Sequence, residues 1–225
     1  MFTLKDGKWL DGQPVVVLAH GAGAPMDSPF MTTMAGRLSD LGLTVLRFEF
    51  PYMARRRTEG CKAPPDRAPK LLNAFADAVR SVPVGHPVIV AGKSMGGRMA
   101  SLLAAAAGEF GVHPCGWAAL GYPFHPPGKP DRLRTEHMAA CRLPGLVIQG
   151  TRDPFGSARE PVASWLPANV GLVWIEDGNH DLMPRKSSGR THEDNLEAAA
   201  KALSDFVLRC ARRPAPDARS WQPAE

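Results

Sequence analysis

Cysteine, tyrosine and long apolar runs are all scarce in this chain. Its 225 residues hold four cysteines, Cys61, Cys115, Cys141 and Cys210, far apart and without a C-x-x-C pair. That spacing excludes a secreted disulfide framework and reads as reduced thiols. No H-x-x-x-H and no Cys/His cluster proposes a metal, so no metal is expected. The longest apolar stretch, Met99 to Ala107, falls well short of the roughly 20 residues that cross a bilayer. The opening residues Met1-Phe2-Thr3-Leu4-Lys5-Asp6 lack the apolar core of an export signal. The expectation is a cytoplasmic protein with no membrane partner.

What is present excludes disorder for the bulk of the chain: 44% of residues are hydrophobic and 22% charged. A chain this long buries enough surface to fold without a staple. Twenty-two glycines and 22 prolines are scattered between apolar runs as loop punctuation. The net charge is +5, and much of it lies in Tyr52 to Lys70, where Arg55, Arg56, Arg57, Lys62, Arg67 and Lys70 face only Glu59 and Asp66. A basic loop beside a pocket suits an anionic substrate. No helix-turn-helix, RNP or zinc-finger pattern accompanies the charge, so no nucleic acid is expected.

Short apolar runs recur with helical patterns between them. Val15–Ala19, Thr44–Phe50, Val88–Ala91, Gly116–Leu120, Leu146–Ile148 and Leu172–Ile175 read as strands, several hydrophobic enough to be covered on both faces. Helices are expected over Pro29–Leu41, Pro69–Val82, Met95–Ala107, Ala158–Leu166 and His192–Cys210. The fold class is therefore α/β, a mostly parallel sheet of about six or seven strands with helices on both faces. One domain is expected over residues 1–211, with a flexible tail over 212–225. Pro51–Ala68 and Pro123–Pro130 lack a clear period and are expected as irregular rims at a pocket.

The chemistry concentrates in Gly92-Lys93-Ser94-Met95-Gly96, a G-x-S-x-G between an apolar strand and an Ala/Leu-rich helix. A serine at such a turn is forced into a strained backbone with its hydroxyl exposed, while small neighbours let the chain fold back. A phosphate loop would need glycine where Pro87 stands, and a dinucleotide loop glycine where Met26 stands. An ordinary glycine turn with a capping serine is the plainer alternative. A base and its orienting acid are expected downstream in the order acid then histidine. Asp153 follows one strand and His180 another, and parallel strands bring such loops to one edge. Asp177 and Asp181 are rival acids, too near His180 in sequence to reach behind its ring without a contorted loop. The loop His20-Gly21-Ala22-Gly23 offers the Ala22 N–H beside the Met95 N–H as an oxyanion hole. His20 is expected to support that loop by hydrogen bonding. Tyr52, Met53, Phe124 and His125 are expected to rim a shallow pocket, with His137 near it. Arg98 either binds an anion or pairs with Glu49.

Together these residues resemble the α/β-hydrolase superfamily. More narrowly, they resemble the small dienelactone-hydrolase-like branch that includes the KANL/Tex-like proteins. The segments carrying the likeness are His20–Gly23, Arg47–Met53, Gly92–Arg98, Gly121–Pro130 and Gln149–Gly156. The resemblance implies a Ser94/Asp153/His180 triad, acyl transfer through an acyl-enzyme, little or no lid and no cofactor. Dienelactone hydrolases proper carry cysteine at the elbow where this chain has Ser94, so dienelactone is not the implied substrate. The expectation is a serine hydrolase of the carboxylesterase or thioesterase type acting on a small acyl substrate. The competing expectation is a non-catalytic binding module that uses Arg55, Arg56 and Arg57 to hold an acidic partner, since the same branch includes scaffold-like members.

Overall fold

The structure, a computed structural model, describes residues 1–60 and 62–212. Cys61 and the expected tail beyond Arg212 lie outside the described residues. A seven-stranded sheet runs through the molecule in the order β1-β3-β2-β4-β5-β6-β7. Its strands are β1 (Thr3–Asp6), β2 (Val15–Ala19), β3 (Thr44–Phe48), β4 (Val88–Lys93), β5 (Gly116–Leu120), β6 (Gly145–Gly150) and β7 (Val170–Ile175). All pairings are parallel except β1 with β3. Strands β2 to β6 are buried along their whole length, as their continuous apolar runs require of a sheet covered on both faces.

Among the described residues five α-helices cover it: α1 (Pro29–Asp40), α2 (Pro51–Glu59), α3 (Ala68–Arg80), α4 (Met95–Ala105) and α5 (His192–Ala211). On one face Met31, Met34 and Leu38 of α1 pack with Leu196, Leu203 and Phe206 of α5. On the other, Tyr52 of α2, Leu71 and Phe75 of α3 and Met99 and Leu103 of α4 pack with Phe48 and Phe50. Thr191 starts α5 with a reciprocal capping box to Asp194. No helix of the described residues is long and apolar enough to cross a membrane.

Two expectations are corrected, and one strand is added. The segment expected as an irregular rim from Pro51 contains α2. Pro51 occupies its first turn, where a missing N–H costs nothing, and Gly60 ends it at φ 65°. The helix expected over Ala158–Leu166 reduces to a single 3-10 turn at Val162–Trp165, boxed in by Pro161 and Pro167. The short edge strand β1 went unanticipated: its side chains are mostly exposed, so no apolar run announces it.

The chain steps from β2 outward to β3, then returns across to β4 on the other side of β2. Adjacent strands β2 and β4 therefore send their following loops in opposite directions. This opens a crevice at their C-terminal ends, where open α/β sheets bind ligands.

Candidate active site

Ser94 stands at that crevice, between β4 and α4. Its backbone takes φ 53° and ψ −115°, a left-handed conformation that side chains resist and that costs on the order of 1–3 kcal/mol. The peptide is fastened on both sides: Ser94 N–H donates to the Leu120 carbonyl (3.0 Å), and its own carbonyl accepts from Arg98 N–H (3.0 Å). The turn closes only because its neighbours lack side chains. A Cβ on Gly92 would lie 2.3 Å from the Gly96 carbonyl carbon, and one on Gly96 would lie 2.4 Å from the Ala19 carbonyl oxygen.

The loops after β6 and β7 bring the other two groups. Asp153 is fully buried; its Oδ2 accepts from His180 Nδ1 at 2.8 Å and its Oδ1 from Phe155 N–H at 2.9 Å. Because both partners of Asp153 are donors, the His180 proton sits on Nδ1. Nε2 is left to accept from Ser94 Oγ at 2.8 Å. Hydroxyl, imidazole and carboxylate thus form one hydrogen-bonded row. The Phe155 ring packs on the His180 ring, centroids 4.4 Å apart. The two loops touch backbone to backbone: a Cβ on Gly150 would lie 2.3 Å from the Gly178 carbonyl oxygen.

The rival acids have other partners. Asp177 (φ 54°) accepts from the Arg185 backbone and side chain and pairs with Arg152. Its hydrogen bonds to Arg185 hold its carboxyl below the usual range. Asp181 is exposed and pairs with Lys93 (3.2 Å). Lys93 was not singled out from the sequence, where it reads as the variable residue of the elbow motif. Its stem is buried, and its ammonium donates to the His180 carbonyl (2.8 Å) while lying 5.4 Å from the Phe30 ring centre. Burial lowers its pKa, against the pull of Asp181. Lys93 therefore ties the His180 turn to the strand that carries Ser94.

The loop after β2 closes the site. Phe50 N–H donates to His20 Nε2 (3.0 Å), so the ring's proton lies on Nδ1, which donates to the Gly21 carbonyl (2.7 Å). Burial lowers the His20 pKa, in keeping with a neutral ring. The Tyr52 hydroxyl lies 3.1 Å from the Gly21 carbonyl and 3.0 Å from that of Ala22. In a trans peptide the N–H points opposite the carbonyl, so fastening the Gly21 carbonyl inward turns the Ala22 N–H outward. Met95 N–H opens α4 and has no intrahelical acceptor. A cleft of about 290 Å³ lies here, lined by the 21–24 loop, Phe30 and Met31 of α1, Lys93, Ser94, His180 and Asp181.

None of the four expected rim residues lines that cleft. Tyr52 is fully buried behind the 21–24 loop and supports it. Met53 lines a separate dent with Pro25, Arg56 and Arg57. Phe124 is buried against Tyr122 and Trp165, and His125 bonds Glu160 (2.7 Å). Phe30 and Met31 form the apolar wall instead; in sequence they look like ordinary positions of an amphipathic helix. The arginine run is engaged internally. Arg55 pairs with Asp66, Arg56 donates to the Ala63 carbonyl, and Arg57 bridges Glu49 and Asp27.

A doubly covered parallel sheet with a serine elbow at its crevice defines a class of hydrolytic enzymes. A family model described as an alpha/beta hydrolase domain matches residues 12–208, and the chain belongs to that family. Among solved structures it is similar to a dienelactone hydrolase from Anabaena variabilis (TM-score 0.64, 23% identity, 88% of this chain and 86% of that one). It is also similar to the esterase Est1E from Butyrivibrio proteoclasticus with ferulic acid bound (TM-score 0.68, 16% identity, 94% and 96% covered). A third is an α/β serine hydrolase without a lid from Xanthomonas campestris (TM-score 0.62, 24% identity, 94% and 90% covered). At these identities the likenesses establish the shared fold.

Proposed function

We propose that this α/β hydrolase is a cytoplasmic serine hydrolase that cleaves small acyl substrates, esters or thioesters, through an acyl-enzyme. The observation that carries the reading is the unbroken row Ser94–His180–Asp153 opening onto a cleft. His180 Nε2 takes the Ser94 proton as Oγ attacks the acyl carbon, and the protonated ring then hands it to the leaving group. Asp153 holds the ring in the tautomer that leaves Nε2 free to accept and stabilises the charge the ring acquires. The outward Ala22 N–H and the Met95 N–H receive the oxygen of the tetrahedral intermediate; one such donor contributes about a hundredfold or more in rate. Water then enters by the same route and releases the acid.

The rival reading, a binding module using Arg55–Arg57, is weakened because Arg55 pairs with Asp66, Arg57 pairs with Glu49 and Asp27, and Arg56 donates its Nε to the Ala63 carbonyl. A fluorophosphonate probe provides the test. It should label wild type and leave Ser94→Ala unlabelled; a folded wild type that is not labelled would defeat the proposal.

A further inference from the structure

Arg47 and Glu49 stand two residues apart at and just past the end of β3, so in the extended chain their side chains leave the same face. Both are buried, at 5% and 1% exposure, where an unpaired charge would be costly. Glu49, expected as a partner of Arg98, instead accepts from Arg57 Nε (2.6 Å) on one oxygen and from the Met26 N–H (3.2 Å) on the other. Arg47 forks onto Asp6 (2.8 and 2.9 Å) and donates through Nη1 to the Met26 carbonyl (2.9 Å). Arg57 completes the set with two bonds to Asp27, the residue after Met26 (3.0 and 2.8 Å).

Both backbone polar groups of Met26 are thus held by ionised side chains of opposite sign from one neighbouring segment. Met26 lies between β2 and α1, outside the sheet ladder. Two desolvated charges are a costly way to satisfy one loop residue. Their effect is to fix the arch formed by residues 22–25. Its first foot is Gly21, whose carbonyl meets the His20 ring (2.7 Å) and the Tyr52 hydroxyl (3.1 Å). Its second foot is Met26. Both feet are buried, Gly23 and Ala24 between them are exposed, and residues 21–24 line the cleft beside Ser94. Gly21 and Gly23 make such an arch pliant, and Pro25 stiffens only its last step. A donor that drifts from the place where the oxyanion forms is lost to the transition state.

We propose that Glu49, backed by Arg57 and Arg47, is a positioning residue: by holding Met26 it fixes the arch that presents the Ala22 N–H to the oxyanion. This rests on the hydrolase reading and adds to it the groups that keep its oxyanion hole formed.

Glu49→Gln keeps the volume and removes the charge. Its amide offers one acceptor to two donors, so either Arg57 Nε or the Met26 N–H meets an NH2 group and the clamp opens. Arg57→Met opens it from the half-exposed side, and Arg57→Lys returns the cation. A thermal melt of each variant identifies the folded ones. With 4-nitrophenyl acetate, kcat should fall about tenfold or more in Glu49→Gln while KM stays within about twofold, because the oxyanion exists only in the transition state. Inhibition by phenylboronic acid should weaken by a similar factor. Its boron takes a lone pair from Ser94 Oγ as His180 takes the hydroxyl proton, and the tetrahedral adduct presents an oxygen to the same hole. Arg57→Lys should fall between wild type and Arg57→Met in both assays. Independently of turnover, amide hydrogen exchange over residues 21–26 should quicken in Glu49→Gln about tenfold or more beyond any change in β4. A folded Glu49→Gln with wild-type kcat, or with a raised KM and unchanged kcat, overturns the proposal, as does exchange that quickens no more than in β4. Locally quickened exchange in a protein whose wild type neither hydrolyses the ester nor takes the boronate upholds the clamp and defeats the hydrolase reading.

Discussion

Replacing Asp153 by asparagine tests the orientation of His180 with little change in volume. The buried carboxylate accepts from two donors, His180 Nδ1 at 2.8 Å and Phe155 N–H at 2.9 Å. Asparagine brings one acceptor and one donor group to the same two partners. With its carbonyl toward His180, its amino group opposes the Phe155 N–H, a buried donor against a donor that costs about 1–3 kcal/mol. With its carbonyl toward Phe155, every bond is kept provided that the imidazole proton moves to Nε2. The second arrangement is the stable one, and in it Nε2 can no longer accept from Ser94. The fold should thus lose at most about 1 kcal/mol. Turnover should fall by roughly ten-thousand-fold, the size of loss known for the same carboxylate-to-amide change in a serine protease triad. Steady-state hydrolysis of 4-nitrophenyl acetate, alongside a thermal melt of the same sample, reads both quantities. A variant within tenfold of wild-type kcat would refute the role given to Asp153.

Two further substitutions probe the supports of the site. Lys93→Met removes a charge-assisted bond to the His180 carbonyl, worth about 1.5–3 kcal/mol, and also removes the cost of burying an ammonium. Stability should change little while kcat/KM drops about tenfold or more; an unchanged kcat/KM would mean that Asp153 alone holds His180. Gly96→Ala places a Cβ 2.4 Å from one strand carbonyl and 2.6 Å from the next, so denaturant unfolding should register a loss of about 3 kcal/mol or more. Gly36→Ala, inside α1 with open space around it, should instead gain about 0.5–1 kcal/mol, and a similar loss at both positions would contradict the steric account.

Most of the architecture was legible because buried parallel strands must be apolar on both faces, and Val15–Ala19 or Val88–Ala91 can be little else. The elbow was legible because a serine between glycines, after such a strand, answers a steric demand visible in one dimension. Helix α2 was missed because its three arginines and leading proline resemble a loop, although Pro51 and Gly60 mark its two ends. The rim was misjudged for a related reason: Tyr52, Phe124 and His125 sit next to the right strand ends, but their aromatic bulk is drawn into the core.

Local chemistry determined which segments become strands and helices, that Ser94 stands in a strained turn, and that a downstream acid and histidine lie at strand ends. Sequence separation already favoured Asp153 over Asp177 and Asp181; only the tertiary structure decided which arginines and amides each carboxylate meets across loops distant in the chain. The same holds for Lys93 tying the His180 turn and for Phe30 and Met31 lining the cleft. Propensity and hydrophobicity act within a few residues, whereas hydrogen-bond partners and Coulomb forces are set by distances in space.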